Sequence, residues 1–193
     1  MTLGITGKIG VGKGVAAAFF EQRKWVLLDA DKMAHQLYQP YKRVWKQLVE
    51  RFGEAILKKD DVIDRQKLRQ FVFGSNSASK EALKDLNDIV HPELKRTLKD
   101  EVYFLTKKHK NVIITATLWQ ELGLFDLCDK VLLIRAGDAL TYERVHKRDG
   151  MSFDMFEGLN AQQSEPPHPD FVVENEGDFQ SLYKQLNLVV NSL

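Results

Sequence analysis

Short apolar runs alternate with longer amphipathic stretches along most of this chain. The runs are rich in Val, Ile and Leu, as in strands buried on both faces, and they lie at residues 3–6, 25–28, 112–115, 131–135 and 171–173. Between them the apolar residues recur with a helical period, which predicts helices at about 13–23, 31–51, 79–108, 138–149 and 177–191. This alternation is typical of a three-layer α/β fold with a mainly parallel sheet, which binds its ligands at the carboxyl ends of the strands.

Two segments interrupt the alternation. Residues from about 31 to 108 have a helical pattern without a convincing strand, and they are too many for a single crossover helix. We expect a helical subdomain there, inserted after the second strand and covering the site. Residues from about 150 to 168 are polar and contain Gly150, Gly158 and a Pro-Pro pair, which is typical of a mobile lid. The length of 193 residues predicts one domain that carries both additions.

A glycine-rich turn, GKIGVGKG at residues 7–14, joins the first strand to the first helix. In such a phosphate cradle the loop amides and the helix N-terminus bind the anion, and the lysine, here Lys13, reaches the outer phosphates. The alternative is a tight turn without a ligand, but a bare turn has no need of a cation aimed at its amides. The P-loop pattern G-x-x-x-x-G-K-[ST] also places a hydroxyl after the lysine to hold magnesium. Here that residue is Gly14.

Two carboxylates, Asp29 and Asp31, follow the second strand and should face the same cleft as the glycine loop. In phosphoryl transfer an acid in this place accepts the proton of the attacking hydroxyl or holds magnesium through water. Asp31 could instead be the N-cap of the next helix. We interpret Asp31 as the functional acid and Asp29 as its support.

Two arginines, Arg144 and Arg148, lie four residues apart on one predicted helix. A guanidinium that reaches the phosphates neutralises the charge that develops during transfer. The alternative is a solvated helix face with local Glu–Arg pairs. His91 stands alone, which is usually structural, and Pro92 after it suits the first turn of a new helix.

The composition mainly excludes some classes of protein. The net charge is +1 and 44% of the residues are hydrophobic, so no nucleic-acid-coating surface is indicated. No apolar run approaches the ~20 residues of a membrane span, and no secretion signal is recognised. The single cysteine, Cys128, excludes an internal disulfide, and the five histidines show no metal-ligand spacing. We expect a cytoplasmic protein with no nucleic-acid or membrane partner, and the pattern does not indicate an oligomeric state.

Taken together, segments along nearly the whole chain resemble, in the same order, those of the dephospho-CoA kinase family of P-loop kinases. The most specific of them are the glycine loop ITGKIGVGK, the strand-two motif LLDADKMAH, the segment LNDIVHP at 86–92, the helix end RDG at 148–150 and the last strand and turn FVVENEG at 171–177. Several apolar and polar pieces between residues 52 and 73 also resemble the substrate-side helical domain of the family. The resemblance implies a P-loop NTPase fold with a parallel sheet, a helical substrate-binding insert and a lid.

The resemblance also implies an activity and its residues. Family members move the γ-phosphate of ATP to the 3′-hydroxyl of the dephospho-CoA ribose, with Mg²⁺ accompanying ATP. The implied catalytic residues are Asp31 as the base, Lys13 on the outer phosphates and Arg144 on the transferred charge. The implied ATP-binding residues are Gly10, Val11, Gly12, Lys13, Gly14, Val15, Arg144 and Asn175. The implied residues of the acceptor side are Asp31, Asp64, Arg65 and His91.

This sequence departs from the family pattern at three places. Gly14 replaces the serine after the P-loop lysine. The family segment D-x-P-L-L-F-E appears as TATLWQE at 115–121, which puts Thr115 in place of the acid but keeps Glu121. Leu159 stands where the second lid helix of the family has an arginine.

Three interpretations follow. Retention of Lys13, Asp31 and Arg144 favours an active, diverged dephospho-CoA kinase, whereas Gly14 and Thr115 favour a nucleotide- or CoA-binding homologue with little or no kinase activity. Another small-molecule or nucleoside kinase of the same fold is the third.

Overall fold

The computed structural model describes residues 1–72, 76–117 and 119–193, without the side chains of residues 120, 121 and 162. The strands of the described chain are β1 (Thr2–Thr6), β2 (Val26–Asp29), β3 (Val112–Thr115), β4 (Lys130–Arg135) and β5 (Phe171–Glu174). The α-helices are α1 (Lys13–Glu21), α2 (Ala30–Leu37), α3 (Arg43–Phe52), α4 (Arg65–Val72), α5 (Ser77–Lys107), α6 (Trp119–Leu122), α7 (Asp138–Asp149), α8 (Phe153–Gln162) and α9 (Phe179–Ser192). Among the helices described, none is both long and apolar enough to cross a bilayer.

The five strands form one sheet in the order β2-β3-β1-β4-β5, and all four neighbouring pairs are parallel. The predicted α/β fold with a parallel sheet is therefore confirmed. Because all the strands run the same way, their carboxyl ends share one edge of the sheet. The loop after the central strand β1 and the turns after its neighbours therefore open on the same side.

The chain folds as two compact units. One comprises Met1–Asp29 and Glu101–Leu193, and the other comprises Ala30–Asp100. The first unit contains the whole sheet, and an apolar core packs against the sheet. The fully buried core side chains of this unit include Leu3, Ile5, Phe19, Phe20, Ile113, Leu132, Ile134 and Leu186.

The second unit is built from helices around its own core. In α3 the buried residues Val44, Leu48 and Phe52 recur every four positions, so they form one apolar stripe. The helix predicted at 31–51 is wrong in one respect, because the structure has two helices, α2 and α3, instead of one. Pro40 disfavours a helical conformation of the residue before it, and Tyr41 after it has a positive φ of 67°.

Pro92 was expected in the first turn of a new helix, and that expectation is wrong. It lies inside the long helix α5. A proline in a helix interior removes one backbone hydrogen bond and costs ~3 kcal/mol. Val90, Leu94 and Leu98 are buried at four-residue spacing across this point, so packing on both sides of the proline supports a continuous helix.

The segment at 150–168 contains a helix that the hydrophobic pattern did not predict, although the family resemblance places Leu159 in a lid helix. The Ser152 hydroxyl caps α8 by accepting a hydrogen bond from the Met155 amide. The fully buried Phe156 and the exposed Phe153 both pack against Tyr142 of α7, with ring centroids 5.5 Å and 5.2 Å away. The lid role of this segment stays a prediction.

Cys128 precedes β4 as a partly buried thiol, which weakly donates to the Leu124 carbonyl at 3.6 Å. Burial, reinforced by the nearby Asp129 carboxylate, raises the pKa of this thiol to about 12. Cys128 is therefore a protonated and unreactive thiol at neutral pH.

Candidate active site

The glycine loop occupies residues 7–12, between the end of β1 and the start of α1. The first turn of α1 contains no acidic residue, so nothing there opposes an anion. The first amides of a helix have no partner within the helix, and the helix dipole adds a partial positive charge at this end. The loop therefore presents the elements of an anion site at the carboxyl edge of the sheet.

Gly12 shows why glycine is required in this loop. It is the N-cap of α1 and has φ 104° and ψ 22°, a conformation that residues with a Cβ rarely adopt. A Cβ at this position would also overlap the side-chain amide of Asn175. Both the backbone conformation and the space behind it thus exclude a larger residue.

Two side chains from outside the glycine loop bind its carbonyl groups. Asn175 donates from Nδ2 to the Val11 carbonyl at 2.7 Å, and this bond is buried. Arg144 donates from Nη1 to the Gly10 carbonyl at 3.3 Å and from Nη2 to Asn175 Oδ1 at 3.3 Å. The sequence-predicted ATP residues Gly10, Val11, Arg144 and Asn175 are therefore linked in one network.

A third side chain holds the loop through an amide. Gln163, just after α8, accepts a hydrogen bond from the Ile9 N–H at 2.7 Å. Two residues further on, Glu165 pairs with the Arg135 guanidinium at 2.7 Å. The predicted lid segment is therefore attached at this end both to the glycine loop and to the end of β4.

Lys13 folds back over the loop that precedes it. Its Nζ donates to the Gly7 carbonyl at 2.6 Å and to the Lys8 carbonyl at 2.9 Å. The ammonium group therefore lies against the strand end of the loop, while its backbone begins α1. This is a half-buried cation at the predicted phosphate site.

A small cavity of about 170 Å³ adjoins the loop. Four of the predicted ATP-binding residues, Gly12, Val15, Arg144 and Asn175, line it. The remaining lining comes from Gly177 and Phe179. Phe179 is 65% exposed, so a large part of its ring is accessible.

Asp29 ends β2, and its register partner on β3 is Thr115. Thr115 also pairs in register with Ile5 of β1, two residues before the glycine loop. The sheet therefore brings Asp29 and Thr115 to the edge where the loop begins. An acid at position 115 would be the register partner of Asp29. This departure from the family pattern therefore falls within the predicted site. Glu121, the acid that remains in this segment, has a side chain outside the described residues.

Asp31 is exposed and lies in the first turn of α2, which begins at Ala30. The alternative that Asp31 is the N-cap is therefore wrong, because the residue is already inside the helix. A carboxylate in the first turn is favourable to the helix dipole. Its role as the catalytic acid or base stays a prediction.

The two arginines of α7 make different contacts. Arg144 is partly buried in the loop network described above. Arg148 pairs with its neighbour Asp149 on the surface, and this pairing lowers the pKa of the Asp149 carboxyl. The alternative of local ion pairs thus applies to Arg148, and Arg144 is the candidate for a phosphate contact.

The second unit contains a cavity of about 650 Å³, within the usual range of ~300–1,000 Å³ for ligand pockets. Its polar and charged lining side chains are His35, Tyr38, Lys58, Asp64, Arg65, Gln66 and Arg69. The cations outnumber the one carboxylate, so the cavity attracts anions. Burial raises the pKa of Tyr38, which remains a neutral phenol. The described lining contains the predicted acceptor residues Asp64 and Arg65 but not His91, which lies in α5.

Asp64 also has a structural role. Its Oδ1 accepts hydrogen bonds from the Gln66 amide at 3.0 Å and the Lys67 amide at 3.4 Å, which caps α4. This cap places Arg65 as the first residue of α4, at the cavity. Asp64 therefore positions its neighbour, and a substrate contact of its own stays a prediction.

The described residues offer few protein ligands for magnesium. A Cβ at Gly14 would find no atom within 4 Å, so the space that the missing hydroxyl would occupy is open. No group of three or more His, Cys, Asp or Glu side chains in the described ranges is arranged to hold a metal. Magnesium in nucleotide sites is usually held by one or two carboxylates, phosphate oxygens and several waters. Asp29, at the end of β2, offers one carboxylate of this kind at the carboxyl edge of the sheet.

Sequence reasoning missed Gln163 and Phe179. Gln163 follows a helix that the hydrophobic pattern did not predict, and its partner Ile9 is 154 residues away, so no local spacing connects them. Phe179 gave one usable signal, an aromatic residue directly after the turn ENEGD.

Known proteins of the same size are similar to this chain over its full length. The family model described as dephospho-CoA kinase matches residues 1–181. A dephospho-CoA kinase from Aquifex aeolicus (strain VF5) is 33% identical over 198 residues, which cover 99% of this chain and 96% of that protein. Among solved structures, TT1252 from Thermus thermophilus has a TM-score of 0.81 at 29% identity and covers 100% of this chain and 97% of its own.

A dephospho-CoA kinase from Campylobacter jejuni shares the fold, with a TM-score of 0.65 at 22% identity, covering 99% of this chain and 96% of its own. The predicted P-loop kinase fold is therefore confirmed, and so is the resemblance drawn from the motifs. The match over residues 1–181 and the relative at 33% identity lead to one conclusion. This chain belongs to the dephospho-CoA kinase family.

Proposed function

We propose that this chain transfers the γ-phosphoryl group of ATP to the 3′-hydroxyl of the dephospho-CoA ribose, with coenzyme A and ADP as products. The observation that carries the proposal is the glycine loop, which opens at the carboxyl end of β1 and begins α1 with Lys13. The loop occurs in a chain that matches the dephospho-CoA kinase family over residues 1–181. We also propose a cytoplasmic location, because the reaction draws on the cytoplasmic pool of ATP.

The ATP phosphates bind to the loop amides and to the N-terminus of α1. The adjoining cavity of about 170 Å³ is smaller than a whole-ligand pocket, so it takes only part of the nucleotide. We assign the base to it, because the exposed ring of Phe179 offers a stacking surface there. Lys13 exchanges its loop carbonyls for the outer phosphates, and Arg144 contributes a fixed positive charge beside Gly10.

Magnesium would be held, together with the phosphates, by Asp29 and by waters in the open space at Gly14. The ion, when bound, neutralises charge on the β- and γ-phosphate oxygens. Gly14 contributes no ligand to it. We expect the affinity for magnesium to be lower than in a loop with a hydroxyl at this position.

Gly14→Ser is expected to lower the magnesium concentration required for tight ADP binding. The new side chain has open space around its Cβ, and its hydroxyl supplies the ligand that the loop lacks. We expect a gain of roughly tenfold in the apparent magnesium affinity, the size of one hydrogen bond to a charged group. Titration of magnesium into protein and ADP, followed by calorimetry, measures it.

Gly14→Ala is the matched control, since it adds the same Cβ without the oxygen. An equal gain in both variants would mean that the hydroxyl is not acting as a ligand. No gain in either would contradict the place of residue 14 in the metal site.

The acceptor binds in the cavity of the second unit. Dephospho-CoA carries a diphosphate between an adenosine and a pantetheine arm, so its pocket needs both cations and apolar surface. Lys58, Arg65 and Arg69 supply the cations, and Val62, Val72 and other apolar residues supply the surface. Arg65 is well suited to the diphosphate, because a guanidinium binds phosphate oxygens in a bidentate way.

Arg65→Met is expected to raise the KM for dephospho-CoA by about tenfold or more while the KM for ATP stays unchanged. Methionine keeps the length and apolar stem of the side chain but removes the charge. Steady-state kinetics with each substrate varied in turn separates the two constants. Arg43→Met, an exposed position in the same unit, is the control. Equal changes in both KM values would contradict the assignment of Arg65 to the acceptor.

Asp31 accepts the proton of the 3′-hydroxyl in this proposal. Asp31→Asn is isosteric but cannot accept the proton, so we expect turnover to fall by about 10²–10⁴-fold with little change in ATP affinity. The assay is ADP release in the presence of ATP, magnesium and dephospho-CoA. Asp100→Asn, an exposed position of α5 outside the family motifs, is the control. Near-normal turnover of Asp31→Asn would remove Asp31 as the base.

Gly14 and Thr115 together favour a second candidate, a nucleotide- or CoA-binding homologue with little or no kinase activity. The same assay on the wild-type chain decides between them. ADP release that depends on dephospho-CoA supports the kinase. Absence of turnover, with tight binding of both substrates, supports the binding protein.

A further inference from the structure

The side chain of Asn175 is one of the few buried polar side chains of the described core, with 5% of its surface exposed. It makes three of the four hydrogen bonds that a carboxamide can make. Nδ2 donates to the Val11 carbonyl at 2.7 Å, and Oδ1 accepts from Arg144 Nη2 at 3.3 Å and from the Gly177 amide at 3.4 Å. The polar atoms of this side chain therefore bond mainly to other groups of the protein.

The backbone of Asn175 is fixed as well. It directly follows β5, and its N–H donates to the Arg135 carbonyl at 2.7 Å, which extends the β4–β5 pairing by one bond. A side chain on such a backbone has few ways to move. The amide of Asn175 is therefore a rigid point against which the glycine loop can be held.

The bond to Val11 sets the direction of a loop amide. The carbonyl of Val11 and the N–H of Gly12 belong to the same planar trans peptide, so they point in opposite directions. Because the Val11 carbonyl is tied to Asn175, the Gly12 N–H faces away from Asn175. In the same way, the bond from Arg144 to the Gly10 carbonyl turns the Val11 N–H away from Arg144.

Two successive amides oriented in this way form part of an anion-binding nest. Their direction does not depend on the glycine loop alone, because glycines at positive φ leave several peptide orientations open. The hydrogen bonds from Asn175 and Arg144 select one of these orientations. Asn175 contributes to the orientation of both amides, since it bonds the Val11 carbonyl directly and also holds the guanidinium that bonds the Gly10 carbonyl.

We propose that Asn175 is a positioning residue of the phosphate site, which turns the Val11–Gly12 peptide and holds Arg144 so that the loop amides are set for a polyphosphate before it binds. This rests on the proposed ATP site and changes the expected role of Asn175. Asn175 also lines the cavity assigned to the base, but its side-chain polar atoms bond to Val11, Arg144 and Gly177, so the residue acts through the loop and the arginine and not through a polar contact with the nucleotide. It therefore contributes to the binding of phosphates and not to that of the nucleoside.

Binding of ADP and of adenosine, measured separately by calorimetry, tests the proposal. In Asn175→Leu, which removes both the donor and the acceptor, we expect ADP affinity to fall roughly tenfold to a hundredfold, the factor for one hydrogen bond to a charged group. Adenosine affinity is expected to change less than about twofold, within the scatter expected for a site whose contacts are kept. Asn187→Leu is the control, an exposed asparagine whose Oδ1 also accepts from an arginine, Arg23.

Asn175→Asp keeps the acceptor for Arg144 but places an oxygen against the Val11 carbonyl, so ADP affinity is expected to fall here too. If Asn175→Leu does not fold, Asn175→Ala provides the test, since it also removes the donor and the acceptor without adding a charge. Equal losses of ADP and adenosine affinity would overturn the proposal, because they would show a direct contact with the nucleoside. Normal ADP binding by Asn175→Leu together with weak binding by Asn175→Asp would overturn it as well, since charge alone would then explain the loss.

The wild-type chain separates this inference from the proposed function. Wild-type protein is expected to bind ADP more tightly than adenosine, and a failure to do so would overturn the nucleotide site and the inference together. A preference for ADP that is the same in wild type and in both variants would overturn the role of Asn175 alone.

Discussion

Lys13→Met is expected to reduce phosphoryl transfer by about 10²–10³-fold, the usual cost of removing one preorganised charge-stabilising group. Lys13 is the cation of the loop itself, because its Nζ lies 2.6 Å from the Gly7 carbonyl and 2.9 Å from the Lys8 carbonyl. Methionine keeps the shape of the side chain but cannot follow the γ-phosphate as charge develops on it. The folded state loses the hydrogen bonds to the Gly7 and Lys8 carbonyls, each worth about 1 kcal/mol, so the thermal midpoint should change little compared with the rate.

The measurement is ADP release with ATP, magnesium and dephospho-CoA, accompanied by a thermal unfolding curve of each variant. Lys184→Met provides the control, since it removes an exposed lysine from α9 in the same unit. If Lys13→Met turned over at the wild-type rate, the glycine loop would not be the phosphate site. If the rate and the thermal midpoint both collapsed, Lys13 would be mainly a structural residue.

The sheet and its first loop could be predicted because local sequence determines them. β3 has the bounds that were predicted, since a run of β-branched residues directly follows the polar residues at 108–111. The helix at 138–149 was also predicted with its observed bounds, because Gly137 and Gly150 flank an amphipathic stretch. Lys13 and the glycines before it lie within a few residues of one another, so the motif alone predicts where the phosphate loop lies.

The remaining features depend on contacts between distant parts of the chain. The hydrophobic pattern did not predict α8, because Gly158 and the nearby prolines suggest a loop, whereas the burial of Phe156 against Tyr142 stabilises a helix. Pro92 lies inside a helix for a similar reason, since packing outweighs its local preference.

The site itself shows the same limit. Asn175 was expected as a nucleotide contact from the motif alone, yet its bond to Val11 joins residues 164 positions apart. No spacing rule gives the direction of such a bond. The sequence therefore identifies the residues of the site more reliably than the role of each residue.

Gly12→Ala is expected to destabilise the protein and to remove most of its activity. The backbone at Gly12 has φ 104°, which costs a residue with a Cβ about 1–3 kcal/mol. The added methyl group also overlaps the amide of Asn175, which must move and release the Val11 carbonyl. The stability loss should appear as a fall of roughly 2–4 °C in the thermal midpoint for each kcal/mol. Activity should fall further than this, because the loop amides lose their orientation even in molecules that remain folded.

Gly14→Ala is the internal comparison, because it adds the same methyl group two residues later in the same motif. A Cβ there meets nothing within 4 Å, and the residue lies in the first turn of α1. Replacing glycine by alanine in a compatible conformation stabilises a protein by about 0.4–1 kcal/mol, so the thermal midpoint should rise slightly. Thermal unfolding and ADP release at a temperature well below every midpoint measure the two effects independently. Opposite signs for the two midpoints would support the loop conformation described above. Similar midpoints and similar rates for both variants would contradict it, since only the strain and the overlap at Gly12 distinguish the two positions.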